Sequence, residues 1–231
     1  DKKNPHRVSL AIKTDFIRAF LLERYGGLYL DSDAIVLQPL HEVFDAMEQT
    51  GFACMRKTSR PQRRIPNNFI GATPGGRIIS MFAAHLRYEL EHRTRYEWGE
   101  TGAKTLTPIV NGNLKHAAIF DEDRVHPITN NKQELFARRD LKAEDTIPQD
   151  ALVCMLFHGI FDTSHPRKKG ALARHNLHDL YYGDTLLADI FRTHISEPAF
   201  EQLPQAGPGP TPGRRKPAIM DFLRRAWRRS R

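Results

Sequence analysis

Two acids separated by one residue, Asp31 and Asp33, carry the clearest chemical potential in this sequence. In an extended segment, side chains at that spacing point the same way, about 6.6 Å apart. Two carboxylates at that distance repel by about 2.5 kcal/mol at an effective dielectric of 20. A divalent cation removes that cost, and oxygen ligands suit Mg²⁺ or Mn²⁺. A second acidic triplet, Asp121-Glu122-Asp123, acts as an internal control. It lies in a polar stretch with no strand before it and reads as a solvated acidic loop. The first copy follows Leu28-Tyr29-Leu30, a short buried strand, and open α/β sheets bind ligands at strand ends. Upstream, Asp15 and Arg18 are i, i+3 neighbours on one helical face. The sequence has no P-loop, no G-x-S-x-G and no paired C-x-x-C.

The elements that must position these residues follow from periodicity. Ile12, Phe16, Ala19 and Phe20 fall on one face and predict a helix over 8–25, stopped by Gly26-Gly27. Strands are predicted at 28–30, 34–37, 51–55, 68–72 and 151–157. Helices are predicted at 40–49, 76–91, 104–117 and 168–195. Residues 56–66 are basic and proline-rich and read as a loop, a solvated face or a contact for an acidic glycan. Residues 118–150 read as irregular and polar. Alternating helices and strands define an α/β class.

Composition bounds the rest. The 231 residues suffice for one sizeable core, or one core and a tail. No apolar run approaches the ~20 residues of a membrane-spanning helix. Cys54 and Cys154 sit in short apolar runs and read as buried free thiols, which favours a reducing compartment. The net charge of +8 is concentrated: residues 214–231 hold eight basic residues and one acid, leaving the body nearly neutral. Residues 204–213, rich in Pro and Gly, read as a flexible linker, so a folded domain is expected over 1–203. In 214–231, Ile219, Phe222, Leu223, Ala226 and Trp227 align opposite Arg224, Arg225, Arg228 and Arg229. That is the pattern of an interfacial amphipathic helix facing an anionic membrane surface.

The run from Thr14 to Asp33 resembles the signature of the DXD-containing glycosyltransferases. These include initiating mannosyltransferases, α-1,4-galactosyltransferases, bacterial capsule and lipopolysaccharide sugar transferases, and large clostridial glucosylating toxins. Their pattern is S/T-D-x-x-R followed by Y-G-G-x-Y-x-D-x-D, met here by Thr14-Asp15…Arg18 and Tyr25-Gly26-Gly27-Leu28-Tyr29-Leu30-Asp31-Ser32-Asp33. Asn67-Asn68-Phe69-Ile70-Gly71-Ala72 resembles the family's N-x-x-[I/L]-[A/G]-A strand. Trp98-Gly99-Glu100-Thr101-Gly102 with Leu106-Thr107 resembles its W-x-x-T-G-P-x-x-L-T segment, with Ala103 in place of the proline. His158 followed by Ser164 resembles its late H…S-W element, with His165 in place of the tryptophan.

The resemblance implies a GT-A-like, Rossmann-type mixed sheet flanked by helices. It implies transfer of a hexose from a nucleotide-diphosphate sugar, UDP-hexose or GDP-mannose, to a glycan or glycolipid acceptor, with retention and with Mn²⁺ or Mg²⁺. Asp31 and Asp33 are then the catalytic and metal-binding pair, with His158 as third metal ligand or a core histidine. Asp15, Arg18, Tyr29 and Asp31 face the donor. Asn68, Thr101 and Gly102 line the sugar or acceptor side. In that family a strand with the nucleotide-base pocket precedes the first helix, so the chain, which begins at Asp1, reads as N-terminally short. The expected setting is cytoplasmic, peripheral to the inner membrane face, with no specific nucleic acid. The alternative is a non-catalytic glycan- or nucleotide-binding module on the same fold.

Overall fold

The computed structural model describes residues 9–197, apart from 60, 62, 94, 98 and 162–171, together with residue 201. Trp98, Ser164, His165, the 204–213 linker and the 214–231 tail lie outside the described residues, as does the side chain of His158. The described residues up to His194 form one compact unit. Among the described residues no helix is long and apolar enough to cross a membrane.

Helix α1 (Leu10–Tyr25) starts where the Ser9 hydroxyl accepts from the Ile12 amide. It ends at Gly26, whose φ of 67° and ψ of −161° fall in a region open only to glycine. A Cβ there would lie 2.6 Å from Pro74 Cδ and 2.9 Å from the Ala72 carbonyl. Gly27 follows at φ 98°, so the glycine pair turns the chain directly into β1 (Gly27–Leu30). Gly26→Ala is expected to lower stability by about 2 kcal/mol, read as a lower urea midpoint at unchanged slope. An unaltered midpoint would contradict this account of the turn.

After β1 come β2 (Ala34–Val36), α2 (His41–Thr50), β3 (Phe52–Met55), β4 (Phe69–Ala72), α3 (Arg77–His92) and α4 (Ala103–Asn111). Then follow β5 (Ala118–Phe120), α5 (Glu122–Val125), α6 (Ala143–Thr146), β6 (Val153–Met155), α7 (Leu177–Tyr182) and α8 (Leu186–His194). The main sheet has the order β1-β4-β3-β5, with β3 and β5 parallel and the other pairs antiparallel. A second sheet pairs β2 with β6 antiparallel. This is the expected α/β class, with a mixed sheet flanked by helices.

Side-chain alternation builds two faces. Phe52, Cys54, Ile70 and Ala72 join Phe16, Ala19, Leu22 and the apolar stripes of α3 and α4 in one core. Ala53, Met55 and Phe69 point the other way, with Val43 and Met47 of α2, Phe120 and Val153. Tyr29 packs with the first core, whereas Leu28 and Leu30 pack with the second. Tyr29 therefore faces α1. Cys54 and Cys154 are buried and free, and burial pushes both thiols up to about 12.

Three expectations are corrected. The stretch 118–150 is not simply irregular, because β5 completes the sheet and Val125, Ile128 and Phe136 are fully buried. The predicted helix over 104–117 stops at Asn111 and resumes only as a 3₁₀ turn at Leu114–His116. The 168–195 helix is two helices parted at Gly183. Residues 162–171 lie outside the described set.

Candidate functional site

Asp31 leaves β1 at the edge of the main sheet. Its amide donates to the Asn68 carbonyl at 3.1 Å, extending the β1–β4 ladder by one step. The Ala34 amide then donates back to the Asp31 carbonyl at 3.2 Å, closing a β-turn over Asp31-Ser32-Asp33-Ala34. The expected extended Asp31–Asp33 segment is thus corrected to a turn. Asp and Ser side chains favour this by bonding nearby backbone. From the turn the chain enters β2, and the Leu156 amide donates to the Asp33 carbonyl at 2.8 Å, extending the β2–β6 ladder. The acidic pair sits where the two sheets meet.

Helix α1 supplies the other half. Arg18 is buried, its side chain only 7% exposed, and lies 3.4 Å from an Asp15 oxygen and 3.3 Å from Asp31 Oδ1. Its guanidinium also donates to the Asn67 carbonyl at 2.5 Å and covers the Tyr29 ring at 4.1 Å from the centroid. The Tyr29 hydroxyl donates to Asp31 Oδ1 at 2.9 Å, and burial raises its pKa to about 12, so it remains a donor. Asp15 accepts from Asn67 Nδ2 and from the Thr101 hydroxyl, each at 2.7 Å. Gly102 lies against the same amide; a Cβ there would come within 2.9 Å of Asn67 Nδ2. The structure thus gathers Asp15, Arg18, Tyr29, Asp31, Thr101 and Gly102 around one network, with Asp33 in the adjoining turn.

Asp15 and Asp31 flank one buried guanidinium, and Asp33 adds its negative charge beside Asp31. Burial raises the pKa of Asp31; Arg18 and the Tyr29 hydroxyl pull it down; Asp33 and Asp15 push it up. A carboxylate held against that pressure, beside a second one, fits a hard cation. Magnesium commonly uses only one or two protein carboxylates, its other ligands being water and phosphate oxygens. Among the described residues no group of three or more His, Cys, Asp or Glu is arranged to hold a metal. The backbone of His158 lies in a 3₁₀ turn just beyond β6.

Asn68 turns away from this network. Its Nδ2 lies 3.1 Å from His126 Nε2, and its Oδ1 is buried with no hydrogen-bond partner. His126 is 1% exposed and meets the Phe157 ring edge-on at 5.3 Å between centroids. Phe157 itself has φ 61°, a costly left-handed backbone for a bulky residue. Burial, then the Lys57 charge, holds the His126 pKa down at about 3, with Glu122 opposing. Between that value and about 6.5 the unfolded chain binds a proton that the folded chain refuses. Stability is therefore complete above about pH 6.5 and falls as acid is added, by up to about 1.4 kcal/mol per pH unit for this proton. His126→Gln is expected to flatten the slope of stability against pH between 5 and 6.5. Parallel slopes in urea melts would contradict this.

Sequence reasoning missed three contributors. Asn67, rather than Asn68, carries the amide that fixes Asp15. His126 gave no signal. Glu122, expected on a solvated loop, is 5% exposed and accepts from the Thr58 and Ser59 amides at 2.7 and 2.6 Å. The long acid-free stretch around the 56–66 loop could have announced the need for such a counter-charge.

Residues 2–51 match the family described as glycosyltransferase sugar-binding region containing DXD motif. The matched segment is less than a quarter of the chain and includes α1, the glycine pair and the Asp31–Asp33 turn. Among solved structures, one titled PaToxG Glycosyltransferase is similar at 20% identity and a TM-score of 0.35. That similarity covers 44% of this chain and 34% of the other, so this chain spans about a third of that structure's length. No curated protein matches. The family match indicates a glycosyltransferase-like sugar-binding region containing a DXD motif over residues 2–51. Its DXD is Asp31-Ser32-Asp33.

Proposed function

We propose that this protein is a metal-dependent glycosyltransferase. It moves a hexose from a nucleotide-diphosphate sugar to a glycan or lipid-linked glycan acceptor, with retention of configuration. The observation that carries the reading is the meeting of three carboxylates and one buried guanidinium at the junction of two sheets, inside the matched DXD region.

Asp31 and Asp33 would hold Mn²⁺ or Mg²⁺, with His158 as the third protein ligand, and such a cation would supply the positive charge that a departing diphosphate needs, so no acidic residue would be required for departure. Arg18 keeps the Asp31 carboxylate ionised and oriented, and Tyr29 donates to the same oxygen. Asp15 is held by Asn67 and Thr101. A carboxylate offers about four lone-pair sites, so Asp15 retains capacity for donor-sugar hydroxyls. Thr101 and Gly102 flank the sugar or acceptor side. Retention is assigned to same-face attack within one ion pair.

The test is incubation of the protein with UDP-glucose, UDP-galactose, UDP-N-acetylglucosamine and GDP-mannose, following release of free sugar. Slow hydrolysis of at least one donor with Mn²⁺, abolished by chelation, is expected. Binding of a donor with no turnover of any of the four would replace this reading with that of a binding module.

A further inference from the structure

From Gln49 to Tyr88 the sequence contains no aspartate or glutamate, yet Arg56, Lys57, Arg60, Arg63 and Arg64 lie within it. Five like charges in nine residues repel one another, and a loop carrying them has an electrostatic reason to spread. The structure instead pins it. Glu122, at the start of α5, accepts from the Thr58 and Ser59 amides, from the Ser59 hydroxyl at 2.7 Å and from the Thr58 hydroxyl at 3.2 Å. Burial alone would raise its pKa; the hydrogen bonds from Ser59 and Thr58 outweigh this and lower it. The Lys57 amide donates to the Arg64 carbonyl at 2.9 Å, and the Arg56 guanidinium bonds both the Arg63 carbonyl and Asn111 Oδ1.

These ties engage the backbone and the hydroxyls. The side chains of Arg63 and Arg64 stay exposed, and no acidic residue pairs with either among the described residues. A buried carboxylate thus anchors Thr58 and Ser59, while Lys57 and Arg56 hold the Arg64 and Arg63 carbonyls and leave both of those arginine side chains exposed. Local rules broken at the expense of repulsion are expected where function requires them.

The loop also stands beside the candidate site. Ile65 and Pro66 are buried and lead directly into Asn67 and Asn68. Asn67 bonds Arg18 and Asp15, and the Asn68 carbonyl takes the Asp31 amide. Arg64 stands four positions before Asn68, so their Cα atoms lie within about 14 Å.

We propose that the 56–66 loop is the acceptor-recognition rim, and that it selects a carbohydrate acceptor bearing carboxylate or phosphate groups. This rests on the sugar-transfer reading above. Arginine forks recognise both groups with paired hydrogen bonds. The loop has no aromatic side chain on which nucleic-acid bases could stack. Its one large apolar residue, Ile65, is buried, so it offers nothing to insert into a membrane.

The experiment is calorimetric titration of the full chain with oligogalacturonate and with its neutral methyl ester, at low ionic strength and without donor. The acid should bind and the ester should not. Replacing both arginines (Arg63→Gln with Arg64→Gln) should weaken binding about tenfold or more, at unchanged melting temperature, since both side chains are exposed. The basic 214–231 segment is common to both proteins and cancels. Glu122→Gln, which keeps both arginines, should also weaken binding by loosening the loop. Equal binding of acid and ester, or unaltered affinity in the double variant, overturns the proposal. So does a loss of oligouridylate or of phosphatidylglycerol-vesicle binding in the double variant that exceeds its loss of oligogalacturonate binding. Donor hydrolysis without oligogalacturonate binding removes the rim and leaves sugar transfer standing. Binding without turnover of any donor does the reverse.

Discussion

Asp33→Ala should reduce donor turnover per folded molecule by about 10²-fold or more while keeping the backbone bonds of the turn. The contact that Asp33 makes with β6 uses its main-chain carbonyl, which accepts from the Leu156 amide, and alanine keeps it. The β-turn is closed by the Asp31 carbonyl and the Ala34 amide, which alanine also keeps. Only the carboxylate is lost, and with it one of the two negative charges offered to a cation. Because Asp33 pushes the Asp31 pKa up, the remaining Asp31 should ionise more readily in the metal-free variant. A mere structural role for Asp33 predicts the reverse pattern, with stability lost and turnover per folded molecule kept. Steady-state hydrolysis beside a thermal melt separates the two. Turnover within threefold of the parent protein would remove Asp33 from the chemistry.

Arg18→Met should cost about 3 kcal/mol of stability and raise the Asp31 pKa further. Methionine preserves much of the buried volume but strips Asp15 and Asp31 of their shared cation. Asp15 is only 14% exposed and Asp31 34%; breaking a buried pair leaves a charge uncompensated, at about 3–5 kcal/mol when burial is complete. The lower end applies because Asp15 keeps Asn67 and Thr101, and Asp31 keeps the Tyr29 hydroxyl. The sign of the titration is fixed by the same contacts. Burial raises the Asp31 pKa and Arg18 is the largest influence pulling it down. The proton on Asp31 should therefore come off at higher pH once Arg18 is gone. Carboxyl-carbon NMR of the metal-free protein reads this directly, and urea melts read the stability. An Asp31 titration unmoved by the substitution would show that Arg18 does not govern it.

Much of this arrangement was legible in the sequence because it is written in short-range rules. The i, i+4 spacing of α1 and the glycine stop fixed the first helix, and apolar runs marked β1, β3 and β4. Asp15, Arg18, Tyr29 and Asp31 were assembled from a signature whose spacing places i, i+3 residues on one helical face and i, i+2 residues on one strand face. Tyr29 and Asp31 do share an oxygen of contact. What failed was long-range. β5 is three residues long and is a strand only because β3 lies beside it. Glu122 looked like any surface acid because its partners, Thr58 and Ser59, are more than sixty residues away. The choice of Asn68 over Asn67 turned on which of two neighbouring side chains faces α1, which only the β4 register decides. The Asp31–Asp33 turn was misjudged because the strand before it and the signature around it were weighed above the turn preference of Asp-Ser-Asp.

Titration calorimetry of the full chain with UDP-glucose, UDP-galactose, UDP-N-acetylglucosamine and GDP-mannose, each with and without Mn²⁺, tests the central claim most directly. At least one nucleotide sugar should bind only when Mn²⁺ is present, and Asp33→Ala should abolish that dependence. Equal affinity with and without the cation, for every donor that binds, would contradict the assignment of Asp31 and Asp33 to metal and diphosphate.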